Sequence, residues 1–160
     1  VTALSDVTAR ATLESLGALI ESVRSAAKAR IASPERRLDI ELAVEEALVN
    51  VISYAYQGGP AGDVQVRCSV RDGRWLVIEI IDSGTPFDVL AAPPPDLTAP
   101  VEERRTGGLG IHFIKRLTDR AAYRREGGRN ILELRVRLDR LKKYRQPEVV
   151  RPGKSDRRGI

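Results

Sequence analysis

The sequence predicts an α+β two-layer sandwich, a mixed or antiparallel sheet of four to five strands with helices on one face. Three observations carry this. Two stretches within the first 60 residues repeat apolar side chains at helical spacing, and residues 63–82 alternate with period two about an Asp-Gly turn. A second alternating hairpin closes around Gly127-Gly128. One domain over residues 1–139, followed by a basic tail over 140–160, accounts for the chain, and 160 residues are enough to bury a single core.

Residues 5–11 are expected to form a short first strand. Thr12 is placed to cap a helix from Leu13 to about Ile31, whose stripe is Leu16, Leu19, Ile20 and Val23. Ser33-Pro34 restarts the chain, Ser33 as N-cap and Pro34 in the first turn of a long second helix that runs to about Tyr56 and stops at Gly58, Gly59 and Pro60. In the strand Asp63–Val70, Val64, Val66, Cys68 and Val70 share a face. In Arg74–Asp82 the matching set is Leu76, Ile78, Ile80 and Asp82. A two-residue turn would set these groups on opposite faces. A three-residue loop, Arg71-Asp72-Gly73 with Gly73 left-handed, brings them together and leaves Asp82 at a buried strand end.

The segment Ser83–Thr106 spans 24 positions and holds five of the nine prolines, which suggests a lid or binding loop. Gly107, Gly108 and Gly110 close it. Ile111, Ile114 and Leu117 mark a short helix, and a hairpin of about Arg120–Arg125 and Asn130–Leu138 completes the sheet.

Composition removes several function classes. No apolar run is long enough for a membrane helix. Single residues, Cys68 and His112, exclude an internal disulfide and multi-cysteine or multi-histidine metal sites. The net charge of +5 divides unevenly, with eight Lys/Arg against Glu148 and Asp156 in residues 140–160 and a net −1 in the remainder. A near-neutral body in a chain with only seven aromatics does not suit nucleic-acid binding. The basic tail reads as an inter-domain linker of a chain cut from a longer polypeptide, the alternative being a functional basic arm.

Three short patterns carry chemistry. On the second helix Asp39, Glu46, Asn50, Ser53 and Gln57 form a polar stripe opposite the core face of Ile40, Val44, Ala47, Leu48, Val51 and Ala55, while Glu41 and Glu45 form another. One stripe is either a cavity lining or a solvated face. In a cavity, Glu46 offers a proton acceptor and Asn50 an amide oxygen for a hard cation. Asp82-Ser83-Gly84 is either an Asx turn or a base-recognition site, in which Asp82 accepts from an exocyclic amine and Gly84 lets a planar ring lie on the backbone. Thr106-Gly107-Gly108-Leu109-Gly110-Ile111 sets glycines ahead of a helix, where backbone N–H groups favour phosphate.

In this order the three resemble the GHKL (Bergerat-type) ATPase superfamily and, within it, the anti-sigma-factor serine/threonine kinases of bacterial stress and sporulation switches. The resemblance spans roughly Ala11 to Leu138. Glu46-Ala47-Leu48-Val49-Asn50 is similar to the N box, Asp82-Ser83-Gly84-Thr85-Pro86-Phe87-Asp88 to the first glycine box and Gly108-Leu109-Gly110-Ile111 to the second. Pro86 departs from the wider superfamily, which often has glycine there, but Pro-Phe-Asp is similar to the anti-sigma subgroup. No phosphoacceptor-histidine helix is present, and His112 reads as a packing or surface residue.

The resemblance implies ATP and Mg²⁺ as cofactors, Glu46 as general base, Asn50 as Mg²⁺ ligand and Asp82 with Gly84 at the adenine. Thr106, Gly108, Leu109 and Gly110 would cover the phosphates. Arg105, with Arg104, is a candidate for the γ-phosphate or else a plain exposed residue. The implied partners are a sigma factor and a STAS-type anti-anti-sigma protein, with a homodimer as a candidate assembly, in a cytoplasmic regulator of stress transcription. The implied activity is serine/threonine phosphorylation of the anti-anti-sigma protein with sequestration of the sigma factor. The alternative is a non-catalytic, nucleotide-gated anti-sigma module. In either case residues from about Leu90 to Arg105 are expected to be ordered by ATP. Cys68 reads as core and Trp75 as a sheet-packing residue.

Overall fold

Residues 1–91, 98 and 108–139 are described by the computed structural model. Within them five strands form one antiparallel sheet: β1 (Thr2–Arg10), β2 (Asp63–Arg71), β3 (Trp75–Asp82), β4 (Arg120–Glu126) and β5 (Arg129–Arg137), ordered β1-β2-β3-β5-β4. Helices α1 (Leu13–Lys28), α2 (Pro34–Asn50) and α3 (Gly108–Leu117) cover one face. Leu19, Val23, Ile40, Val44, Leu48 and Ile114 meet Val64, Val66, Cys68, Leu76, Ile78, Ile80 and Leu134 there, which is the predicted two-layer sandwich. No described helix is long and apolar enough to cross a membrane.

The even-numbered apolar residues of β2 and β3 share the inner face, as expected, but the loop lies one residue later than predicted. Val70 pairs with Leu76 and Arg71 with Trp75, so the loop is Asp72-Gly73-Arg74. Asp72 and Gly73 both take positive φ, 54° and 62°, and Arg74 N–H closes the turn on the Arg71 carbonyl at 3.0 Å. Asp tolerates the left-handed region, so the mirror-image turn favoured in hairpins forms on the Asp-Gly pair itself and Arg74 is the extra residue. The second hairpin turns on Gly127-Gly128, as its sequence predicts.

Other boundaries move. β1 starts at Thr2 because its edge pairing continues to Val70. α1 ends at Lys28. Thr12 stands at the N-cap of α1, yet its hydroxyl meets Ser15 Oγ at 3.3 Å rather than a backbone N–H. Ser33 does cap α2, accepting from Arg36 N–H at 3.2 Å. The α-helix stops at Asn50, not Tyr56, and Val51–Ala55 continue as a π-helical turn. Its widened geometry hands the Ala55 carbonyl to the N–H of Thr85 at 2.9 Å, outside the helix.

The sheet face away from the helices is closed by arginines. Glu79 and Glu133 are 6% and 4% exposed. Arg124 reaches Glu79 at 2.9 Å and Arg71 reaches Glu133 at 3.0 Å, with Arg135 on Glu133 as well. Val77, Ile81 and Ile131 are also buried on this face. Trp75 packs here too, between the guanidinium groups of Arg120 and Arg137 at 5.0 and 5.3 Å. On the helical side a buried ion pair joins Arg36 at the start of α2 to Asp119 just beyond α3, and Asp119 also accepts from Arg137 N–H at 2.7 Å. This pins the C-terminal end of α3 and directs its N-terminal end toward the middle of α2.

Candidate functional site

Where α2 ends, its π-helical turn, the end of β3 and the start of β5 line a cleft that opens to solvent. Ala47, Val51, Ile80, Val89 and Leu132 make apolar walls, Phe87 stands 49% exposed at the rim, and Asn50, Asp82, Thr85, Tyr123 and Asn130 supply polar groups. Flat apolar walls with a few convergent polar atoms suit a planar, polar-edged ligand.

Asp82 ends β3 on the inner face, as the parity of the strand requires, and is 6% exposed. Its Oδ1 accepts from Gly84 N–H at 2.9 Å and from Asn130 Nδ2 at 2.8 Å. The Asx turn that the sequence offered as one alternative is therefore present, on a carboxylate buried at the strand end. Gly84 is explained differently from the expectation of a ring lying on it: a Cβ there would collide with the Ala55 carbonyl and Cβ. The glycine lets the loop after β3 dock on the π-helical turn. Tyr56 strengthens that joint, donating to the Asp63 carbonyl at 2.6 Å and accepting from Ser83 N–H at 2.9 Å. Burial raises its phenol above the ordinary value, with the Ser83 bond opposing.

Of the polar stripe of α2, only Asn50 lines the cleft. Glu46 and Asn50 are half-buried, whereas Ser53 and Gln57 stand in solvent because the widened turn changes the phase beyond Asn50. The Nδ2 of Asn50 is buried without a hydrogen-bond partner. That atom is a donor, so an acceptor such as a phosphate oxygen would satisfy it, and a cation would take the amide oxygen Oδ1 instead. Among the described residues no three His, Cys, Asp or Glu gather into a metal cluster. A divalent cation would therefore take its other oxygens from phosphates or water beside the Asn50 amide oxygen, which is how Mg²⁺ is commonly held with nucleotides. One amide oxygen fits that ion only together with the phosphates of a nucleotide.

Glu46 lies against the first turn of α3. A Cβ on Gly110 would come within 2.5 Å of Glu46 Oε2 and 3.4 Å of its Cδ, so the glycine makes room for the carboxylate. Gly108 and Gly110, expected to close the loop ahead of the helix, lie within it, because α3 already begins at Gly108 and takes both into its first turn. Arg104, Arg105, Thr106 and Gly107, most of the lid and the tail from Arg140 lie outside the described residues. His112 is half-buried with its ring 6.4 Å from that of Phe113, and Cys68 is buried in the core.

Residues that the sequence did not mark as functional complete the site. Asn130 is 5% exposed and fully bonded: Nδ2 donates to Asp82 and, at 2.9 Å, to the Thr85 carbonyl, while Oδ1 accepts from Tyr123 and Arg125, both at 2.8 Å. Its place opposite Asp82 follows from the pairing of β3 with β5, strands far apart in the chain, which no local turn announces.

The signature of the histidine kinase-like ATPase domain matches residues 9–136. The serine-protein kinase RsbW of Listeria monocytogenes serovar 1/2a is 32% identical over 85 residues, 51% of this chain and 54% of that protein. The RsbW of Halalkalibacterium halodurans is 32% identical over 94 residues, 56% of each. The serine/threonine-protein kinase BtrW of Bordetella bronchiseptica is 28% identical over 103 residues, 64% of this chain and 71% of BtrW. The matched region thus spans about half the length of the RsbW relatives. Among solved structures, the histidine kinase domain of the Erythrobacter litoralis EL346 blue-light activated kinase aligns with a TM-score of 0.51 at 21% identity, over 77% of this chain and 61% of that one. That likeness concerns the fold, the GHKL sandwich.

Proposed function

We propose that this chain, which belongs to the histidine kinase-like ATPase domain family, binds ATP with Mg²⁺ in the cleft and acts as a protein-serine/threonine kinase and anti-sigma factor. Its substrate in this reading is a serine or threonine of a STAS-type anti-anti-sigma protein, and its other partner is a sigma factor in the cytoplasm. The observation that carries the reading is that the buried acceptor Asp82 and the unpartnered Nδ2 of Asn50 line one cleft, with Glu46 one helical turn from Asn50 and against α3. The names of the RsbW and BtrW relatives support the kinase assignment.

Each group has a distinct task. Asp82 accepts from the exocyclic amine of the base, whose faces pack between Ile80, Leu132, Val51 and Val89. The Asn50 amide oxygen would hold Mg²⁺, which would supply positive charge against the negative charge of the phosphates during transfer. Gly108 and Gly110, in the first turn of α3, approach the phosphates with backbone N–H groups. Glu46 takes the proton of the attacking hydroxyl as the new O–P bond forms and the bond to the ADP oxygen breaks.

The test is transfer from γ-labelled ATP to candidate anti-anti-sigma domains by the wild type and Glu46→Gln. Retained nucleotide binding with transfer reduced by about 10²-fold or more supports the assignment. A wild type that binds ATP and a sigma factor yet transfers nothing to any such domain overturns the kinase reading.

A further inference from the structure

On the far side of Asp82 the last hairpin builds a hydrogen-bond relay whose direction is fixed by chemistry. Arg125 Nη1 donates to Asn130 Oδ1 at 2.8 Å and to the Gly84 carbonyl at 3.2 Å. A guanidinium has donors only, so the Asn130 carbonyl must face it and the Asn130 amino group must face the opposite way. On that opposite side stand two acceptors, Asp82 Oδ1 at 2.8 Å and the Thr85 carbonyl at 2.9 Å. With Gly84 N–H, Oδ1 thus takes two donors, and Oδ2 is the oxygen with acceptor capacity left for a ligand in the cleft. Were the amide reversed, its oxygen would oppose a carboxylate oxygen at hydrogen-bond distance, a repulsive contact that would displace Asp82.

We infer that Arg125 and Asn130 are positioning residues that hold Asp82 as an acceptor toward the base, and that the preference for a purine bearing a 6-amino group over a 6-oxo group depends on the donor-only character of Arg125. The inference rests on the nucleotide-binding reading and adds the residues through which base selectivity is set. Arg125 is exposed on the edge strand β4, so its role can be altered without removing a buried side chain. By holding Asn130 and the Gly84 carbonyl together, it also couples the hairpin to the loop after β3.

The test compares binding of ATP and inosine triphosphate, each with Mg²⁺, by calorimetry on the wild type, Arg125→Lys, Arg125→Gln and Asn130→Asp. Lysine keeps the donor-only character, so Arg125→Lys retains most of the ATP preference. Glutamine can accept as well as donate, so Arg125→Gln lowers the ATP-to-inosine-triphosphate affinity ratio by about tenfold. Asn130→Asp opposes two carboxylates that must share a proton, so ATP binding by this variant tightens as pH falls from 8 to 6 more steeply than in the wild type. Thermal melts establish which variants are folded, and the two Arg125 variants decide the matter if Asn130→Asp is not. Equal ratios in the wild type, Arg125→Lys and Arg125→Gln would overturn the inference alone. A wild type that binds neither nucleotide would overturn the nucleotide reading and the inference with it.

Discussion

Gly84 and Gly110 lack a side chain for different reasons, and substitution separates them. Alanine at Gly84 would place its Cβ on the Ala55 carbonyl, a backbone atom that cannot step aside, and the joint between the β3 loop and the π-helical turn must open. Gly84→Ala is expected to cost about 1–3 kcal/mol, seen as a lower thermal midpoint, and to weaken ATP binding. Alanine at Gly110 meets only the tip of the Glu46 side chain, which can rotate away. Gly110→Ala should melt within a few degrees of the wild type and yet transfer phosphate about tenfold more slowly or worse, because the proposed base is displaced. A larger loss of stability than of transfer would contradict the role given to Glu46. At this scale Asp82, Glu46 and Asn50 were legible from residue type and spacing, and the structure brings them to one region. Asn130, Tyr123 and Thr85 were not, since each is an ordinary strand or loop residue until β5 is laid beside β3.

The elements show where local rules were enough and where tertiary contacts overrode them. The Ser33 cap followed from sequence, and Ser33→Ala should destabilise by about 1 kcal/mol in a denaturant titration. The face of each central strand also followed, because pairing apolar with apolar residues leaves only one parity. The π-helical turn did not, since Val51–Ala55 has ordinary helix-compatible residues and the widening is tied to Thr85, thirty positions later. Nor did the arginine roof, because single charged residues on alternate strand positions read as a wet face. Within that roof, burial alone would raise the Glu133 carboxyl, but hydrogen bonds and charge from Arg135 and Arg71 hold it below its ordinary 4.5. A depressed carboxyl contributes stability that is fully present above the unfolded value and is lost as pH falls through the folded one. Stability of Glu133→Gln, followed by chemical denaturation, should thus fall less steeply than that of the wild type as pH drops from about 5 toward 3. An unchanged slope would deny the Glu133 pairing any share in acid sensitivity.

Across the whole molecule the sandwich fixes one end of each site element and aims the other at the cleft. The Arg36–Asp119 pair anchors the far end of α3 while Gly110 meets Glu46, and the β4–β5 hairpin supports Asp82 from behind. In the proposed reading, the antiparallel sheet that buries the core also carries the base-recognition end and, across α2, the phosphate end. Calorimetric titration of Mg²⁺-ATP into the wild type, Asp82→Asn and Asn50→Ala tests this division most directly. In Asp82→Asn the side-chain oxygen can keep the Gly84 and Asn130 bonds while an amino group replaces the free acceptor, so base recognition is reversed without dismantling the network. The expected result is saturable binding by the wild type, affinity reduced about tenfold or more in Asp82→Asn whether or not Mg²⁺ is present, and loss of mainly the Mg²⁺-dependent increment in Asn50→Ala. No detectable heat from the folded wild type at millimolar ATP, or equal affinity in all three proteins, would contradict the account.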